Sequence, residues 1–182
     1  RIEEQYPTNL FENISTESIQ QGELGDCYFV VALIYASRDK NLVKYLFHPK
    51  SSLEYGIVLV YFWFLGERIP VIVDTQIPYH RRNSKSPLFC HPRSNNDSCW
   101  FVLVEKAFAK ACGGYWSIVE GQSHYGMHVL FDYFSTCFNE IEKLEPPLSF
   151  VNDNELHFPT LNDEFIYYVM KLKEKNAMIG TS

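Results

Sequence analysis

Positive charge is scarce in this sequence: 16 Lys and Arg stand against 22 Asp and Glu in 182 residues, a net charge of −6. Binding a phosphate backbone needs a basic face, so the balance argues against a nucleic-acid partner. The one basic cluster, His80-Arg81-Arg82 with Lys85, is short and reads as a solvated loop. Long apolar runs are also missing. The longest, residues 57–65, is too short to cross a bilayer as a helix, and no transmembrane segment is expected. The opening stretch, Arg1 to Gln5, is too polar for a signal peptide. The five cysteines (Cys27, Cys90, Cys99, Cys112 and Cys137) are odd in number and form no CxxC pair. Neither a disulfide framework nor a zinc site is indicated, and a reducing, cytoplasmic setting is the simplest expectation. No internal repeat is visible.

What is present suits a single α+β domain. The chain is 46% hydrophobic and 21% charged, and aromatics reach 16%, enough to fill a core and line a groove. Residues 1–21 are polar and read as a leading segment. Residues 27–36 (CYFVVALIYA) are almost wholly apolar. Val30, Val31 and Ile34 favour a strand, but the run is long for one and Asp26 stands where a helix N-cap belongs, so a buried helix is expected. Arg38 and Lys40 suit the negative end of its dipole. A short helix at 41–47 is followed by strands at 55–65 and 69–77 joined through Gly66-Glu67, then a long polar loop at 78–96. Residues 100–111 carry apolar residues at helical spacing, with Asp97 or Ser98 as cap and Gly113-Gly114 as terminator. Here Trp100, Leu103, Ala107 and Phe108 read as core, Glu105 and Lys106 as the solvated face. A small-residue loop at 121–126 leads into a short helix to about 134, residues 140–159 look irregular, and a last helix is expected at 161–175 with Asn162 as cap.

The chemistry is concentrated in Gln21-Gly22-Glu23-Leu24-Gly25-Asp26-Cys27-Tyr28. A thiol at a helix N-terminus meets the positive end of the dipole and unpaired backbone N–H groups, both of which favour the nucleophilic thiolate. Acyl transfer also needs donors aimed at the developing oxyanion. The Cys27 N–H is one, and the Gln21 amide, brought round by Gly22 and Gly25, is placed to be the second. Asp26 reads as a helix cap rather than a catalytic acid. The other cysteines read as packing residues, and His124 and His128, although spaced i, i+4, lack a third metal ligand.

These residues resemble the nucleophile segment of calpains, the papain-like intracellular cysteine peptidases, whose pattern is Gln-Gly-x-Leu-Gly-Asp-Cys-Trp before an apolar helix. Tyr28 replaces the Trp. VIVDTQIP (71–78), CWFVLVEKAFAKACGGYWSIVEGQS (99–123) and LKEKNAMIGTS (172–182) resemble three further calpain blocks in the same order. The resemblance implies a papain-like half-domain, the first protease core subdomain, over 1–182: a central buried nucleophile helix, a small antiparallel sheet and peripheral helices. It implies Cys27 as nucleophile, Gln21 as oxyanion-hole residue and Gly121 as a binder of substrate main chain, with Glu120 where the family has a second glycine. Its partners would be protein or peptide substrates and a second core subdomain of the same parent chain, which in calpains supplies the histidine and asparagine. The chain alone is then expected to be inactive. The rival reading is a catalytically silent relative that binds protein partners. Calpains also hold calcium in this half, through an acid nine residues before the nucleophile and another two before the helix Trp. Ser18 and Ser98 occupy those positions here, so no cofactor is firmly expected. Glu17 and Asp97, one residue earlier in each case, leave a shifted site open.

Overall fold

The computed structural model describes residues 10–80 and 83–132. The expectations for 1–9, Arg81-Arg82, the irregular stretch at 140–159, the last helix at 161–175, the block at 172–182 and Cys137 lie outside the described residues.

The apolar run from Cys27 forms helix α1 (Cys27–Ala36). A helix apolar all round has no face to give to water, and Phe29, Ala32, Leu33 and Ala36 are fully buried. Surrounding contacts thus override the strand propensity of Val30, Val31 and Ile34. Asp26 holds the N-cap position, but its side chain makes no capping bond. Only its carbonyl contributes, accepting from the Phe29 and Val30 N–H groups at 2.8 and 3.1 Å. The expected basic residues in the last turn are also absent: Arg38 lies beyond it, over the Tyr35 ring at 4.9 Å, and Lys40 opens the next helix. That helix, α2 (Lys40–Tyr45), is capped by Asp39, which accepts from the Asn41 N–H at 2.8 Å.

Two-residue periodicity then takes over. Strand β2 (Ile57–Phe64) pairs antiparallel with β3 (Glu67–Asp74), with Val60 opposite Val71 and Phe62 opposite Ile69. Val58, Val60, Phe62, Val71 and Val73 point inward and are buried. The hairpin turn is Leu65-Gly66, not Gly66-Glu67, and both residues have positive φ, 53° and 78°, as a primed two-residue turn requires.

The stretch expected as a polar loop contains short strands instead: β4 (Tyr79–His80) paired with β5 (Asn83–Pro87), and β6 (His91–Pro92) paired with β1 (Ile19–Gln20). Strands this short carry no periodic signal, so only the partner across space defines them.

Helix α3 (Trp100–Ala111) falls where its apolar spacing puts it. Its N-cap is Cys99 rather than Asp97 or Ser98, with no side-chain bond. It ends in the double glycine, Gly113 at φ 97° and Gly114 at φ 151°, with the Gly114 N–H on the Ala109 carbonyl at 2.7 Å. Contrary to the solvated-face expectation, Glu105 is only 1% exposed, and Lys106 reaches across to the end of β3. Helix α4 (Ser123–Phe131) stops short of 134, at Asp132 in the left-handed region. A side chain at Gly126 would meet the Ala32 Cβ at 2.8 Å, so α4 lies against α1 through a glycine.

Phe29 of α1 stacks on Phe108 of α3 at 4.2 Å between centroids, and Phe62 of β2 joins them 5.8 Å from Phe108. The architecture is α+β, with one apolar helix at the centre of the core and small antiparallel pairs around it. No described helix is long and apolar enough to cross a membrane.

Candidate active site

Cys27 is the first residue of α1, and its thiol is free and exposed. The first N–H groups of a helix have no intrahelical acceptor, and Cys27 stands among them at the positive end of the dipole. Of the other described cysteines, Cys90 and Cys99 are buried and Cys112 is half-buried. Burial pushes the Cys90 thiol well up, with Glu105 and Asp26 adding to it, and burial likewise raises Cys112.

The turn before Cys27 is held by backbone contacts. The Gln21 side chain folds back so that its amide nitrogen donates to the Leu24 carbonyl at 2.8 Å. One of its two amide protons is used there, leaving the other for a second acceptor. The Glu23 N–H donates to the Leu88 carbonyl at 2.9 Å. A Cβ on Gly22 would lie 2.4 Å from the Phe89 carbonyl. The glycine is therefore needed because two backbones touch, not because the turn must flex. Phe89 in turn stacks on Tyr115 at 3.9 Å, and His80 lies 3.5 Å from the Glu23 carboxylate.

The loop of Glu120 and Gly121 lies across the same turn. The Glu120 N–H donates to the Gly25 carbonyl at 2.8 Å. A Cβ on Gly121 would approach the Tyr28 ring to 2.8 Å, so the aromatic face rests on bare backbone. Glu120 is exposed and adopts a positive φ of 64°, a conformation that strains a residue with a side chain. Burial raises the Tyr28 phenol to about 12, with Cys112 and Asp26 adding to it. The structure thus brings together Cys27, Gln21, Gly121 and Glu120 from two separate segments.

Both residues at the expected calcium positions are neutral serines, and of the two neighbouring acids one is engaged. The Ser18 hydroxyl donates to the Ser15 carbonyl at 2.6 Å and is buried. Ser98 is fully buried. Glu17 is exposed, and the Asp97 carboxylate accepts from the Ser94 N–H at 2.9 Å.

Two buried acids stand differently from the sequence reading, which took Asp26 for a helix cap and Glu105 for a solvated face. Asp26 is fully buried, with neither carboxylate oxygen meeting a donor. Glu105, on the neighbouring helix, shares that burial. The one available signal was that Glu105 lies between Val104 and Ala107 within an otherwise apolar repeat.

A family profile described as calpain family cysteine protease matches residues 1–181. Calpain-13 of Rattus norvegicus is 37% identical over 122 residues, covering 66% of this chain and 17% of that protein. Calpain-8 of the same species is 29% identical over 168 residues, 90% of this chain and 21% of its own length. Calpain-B of Drosophila melanogaster is 30% identical over 179 residues, 97% of this chain and 17% of that protein. The chain therefore spans about a fifth of the curated relatives it matches.

Proposed function

Because the chain belongs to the calpain family of cysteine proteases, we propose that it is the nucleophile half of an endopeptidase that cleaves protein substrates through an acyl-enzyme on Cys27. The supporting observation is the exposed Cys27 thiol at the N-terminus of a buried helix, where backbone N–H groups lack intrahelical acceptors. In this reading the thiolate attacks the scissile carbonyl carbon. The oxyanion that forms is met by the Cys27 N–H and the free amide proton of Gln21. Gly121 offers bare backbone to the substrate main chain, while Glu120 puts a negative charge at the rim. The leaving amine takes its proton from a histidine supplied by a second core subdomain of the parent chain, and water then hydrolyses the thioester.

The donors at the calcium positions do not fit that ion. Calcium takes several oxygen ligands, with carboxylates carrying the charge, whereas Ser18 is engaged with Ser15 and Ser98 is neutral. The proposed mechanism therefore routes no step through calcium.

The test is alkylation of the folded chain with limiting iodoacetamide, adducts being located by mass spectrometry. Cys27 is expected to label faster than Cys90, Cys99 and Cys112, and the chain alone to show no turnover of a fluorogenic peptide. Slower labelling of Cys27 than of any of these three thiols would overturn the nucleophile assignment. Turnover lost in Cys27→Ala would overturn the need for a second subdomain.

A further inference from the structure

Two carboxyl groups lie buried beneath the nucleophile. Asp26, the residue before Cys27, is 0% exposed, and neither of its oxygens meets a donor. Glu105, from the middle of α3, is 1% exposed. Both of its oxygens take the same single donor, the Cys90 N–H, at 3.2 Å. Helices α1 and α3 pack together at Phe29 and Phe108, and burial raises both carboxyls, with Asp26 raising Glu105 further. Two carboxylates have no proton to place between them, and among the described residues no Lys, Arg or His pairs with either. Among the described residues, Cys90 and Tyr115 feel both carboxyls and Tyr28 feels Asp26, and all three are themselves acids. Two uncompensated negative charges in such a site carry a prohibitive desolvation cost.

We propose that Asp26 and Glu105 share one proton at neutral pH, Glu105 donating it to an Asp26 carboxylate, and that this bond, with one negative charge left on the pair, positions the Cys27 turn. The charge belongs on Asp26 because Asp26 sits at the N-terminus of α1, where the helix dipole favours an anion. The proton belongs on Glu105, deep between apolar neighbours, where burial holds the carboxyl well above the ordinary range. Bonded this way, one Asp26 oxygen gains a donor, and Glu105 keeps an oxygen for the Cys90 amide. Asp26 and Glu105 are positioning residues that act through Cys27. That part of the inference rests on the reading of Cys27 as the nucleophile, whereas the shared proton does not.

The experiment compares the full chain with Glu105→Gln and with the double variant Asp26→Asn, Glu105→Gln. Infrared spectra at neutral pH read the pair directly, because every exposed carboxyl is then ionised. A protonated-carboxyl band is expected in the wild type and lost in Glu105→Gln. The glutamine amide still donates to Asp26, so this variant should keep its melting temperature and its rate of Cys27 alkylation. The double variant removes both carboxyls and the bond between them, and should melt several degrees lower and alkylate Cys27 more slowly. No protonated-carboxyl band in the wild type would overturn the proposal. So would a fall in melting temperature in Glu105→Gln as large as that in the double variant, since Glu105 would then not act as the donor. If the double variant does not fold, the band and the Glu105→Gln melting temperature still decide. A band that behaves as expected with an inert Cys27 would support the pair and count instead against the nucleophile reading.

Discussion

At the scale of the residue, the site depends on two places where a side chain is missing. Gly22 admits the Phe89 backbone and Gly121 admits the Tyr28 ring. Sequence patterns mark such glycines but not their reason, which lies in a segment far along the chain. A Gly22→Ala substitution sets a Cβ 2.4 Å from backbone atoms that cannot rotate away. It should cost about 2 kcal/mol or more, read by urea unfolding. It should also slow Cys27 alkylation in the folded protein, because the Gln21 to Glu23 turn must lift from residues 88 and 89. Glu120 is the opposite case, a side chain where backbone geometry asks for none. Glu120→Gly should raise stability by up to about 1 kcal/mol by the same measurement, relieving the strain of its positive φ.

At the scale of the element, periodicity served best where apolar residues recur at one steady spacing. Helix α3 and the β2–β3 hairpin were legible for that reason, although Glu105 and Lys106 were not. Both interrupt an apolar repeat with a charge, and sequence alone does not tell a charge held by a partner from one held by water. Lys106 joins α3 to the end of β3: its ammonium donates to the Asp74 carboxylate at 2.7 Å and to the Asp74 and Gln76 carbonyls. The hydrogen bond from Lys106 holds the Asp74 carboxyl below its usual value. A depressed carboxyl adds stability that is present above the unfolded pKa and is lost as pH falls through the folded value. Lys106→Gln should therefore lower the melting temperature at neutral pH by a few degrees. It should also flatten its decline below about pH 4, a comparison that calorimetry across pH 2–7 makes directly.

At the scale of the whole molecule, the motif around Cys27 and the order of the elements were legible because both are local in sequence. The pairing of β1 with β6 and the Asp26–Glu105 contact were not, because each joins residues more than seventy positions apart. The same distinction bears on calcium, whose family site needs ligands from both of these distant regions. Calorimetric titration should detect no micromolar calcium binding, since Ser18 and Ser98 supply no charge. A micromolar constant abolished by Glu17→Ala or Asp97→Ala would establish the shifted site instead. The β1–β6 pairing has a further, kinetic meaning. The chain must close a loop from Ile19 to Pro92, at an entropic cost of roughly 4 kcal/mol, before the backbone behind Gly22 is in place. Helix α1 is short and has no face suited to water, so it too depends on the packing around it. The turn that carries Cys27 is braced only with that late closure, so a nascent chain carries the reactive residue for some time before the site around it exists.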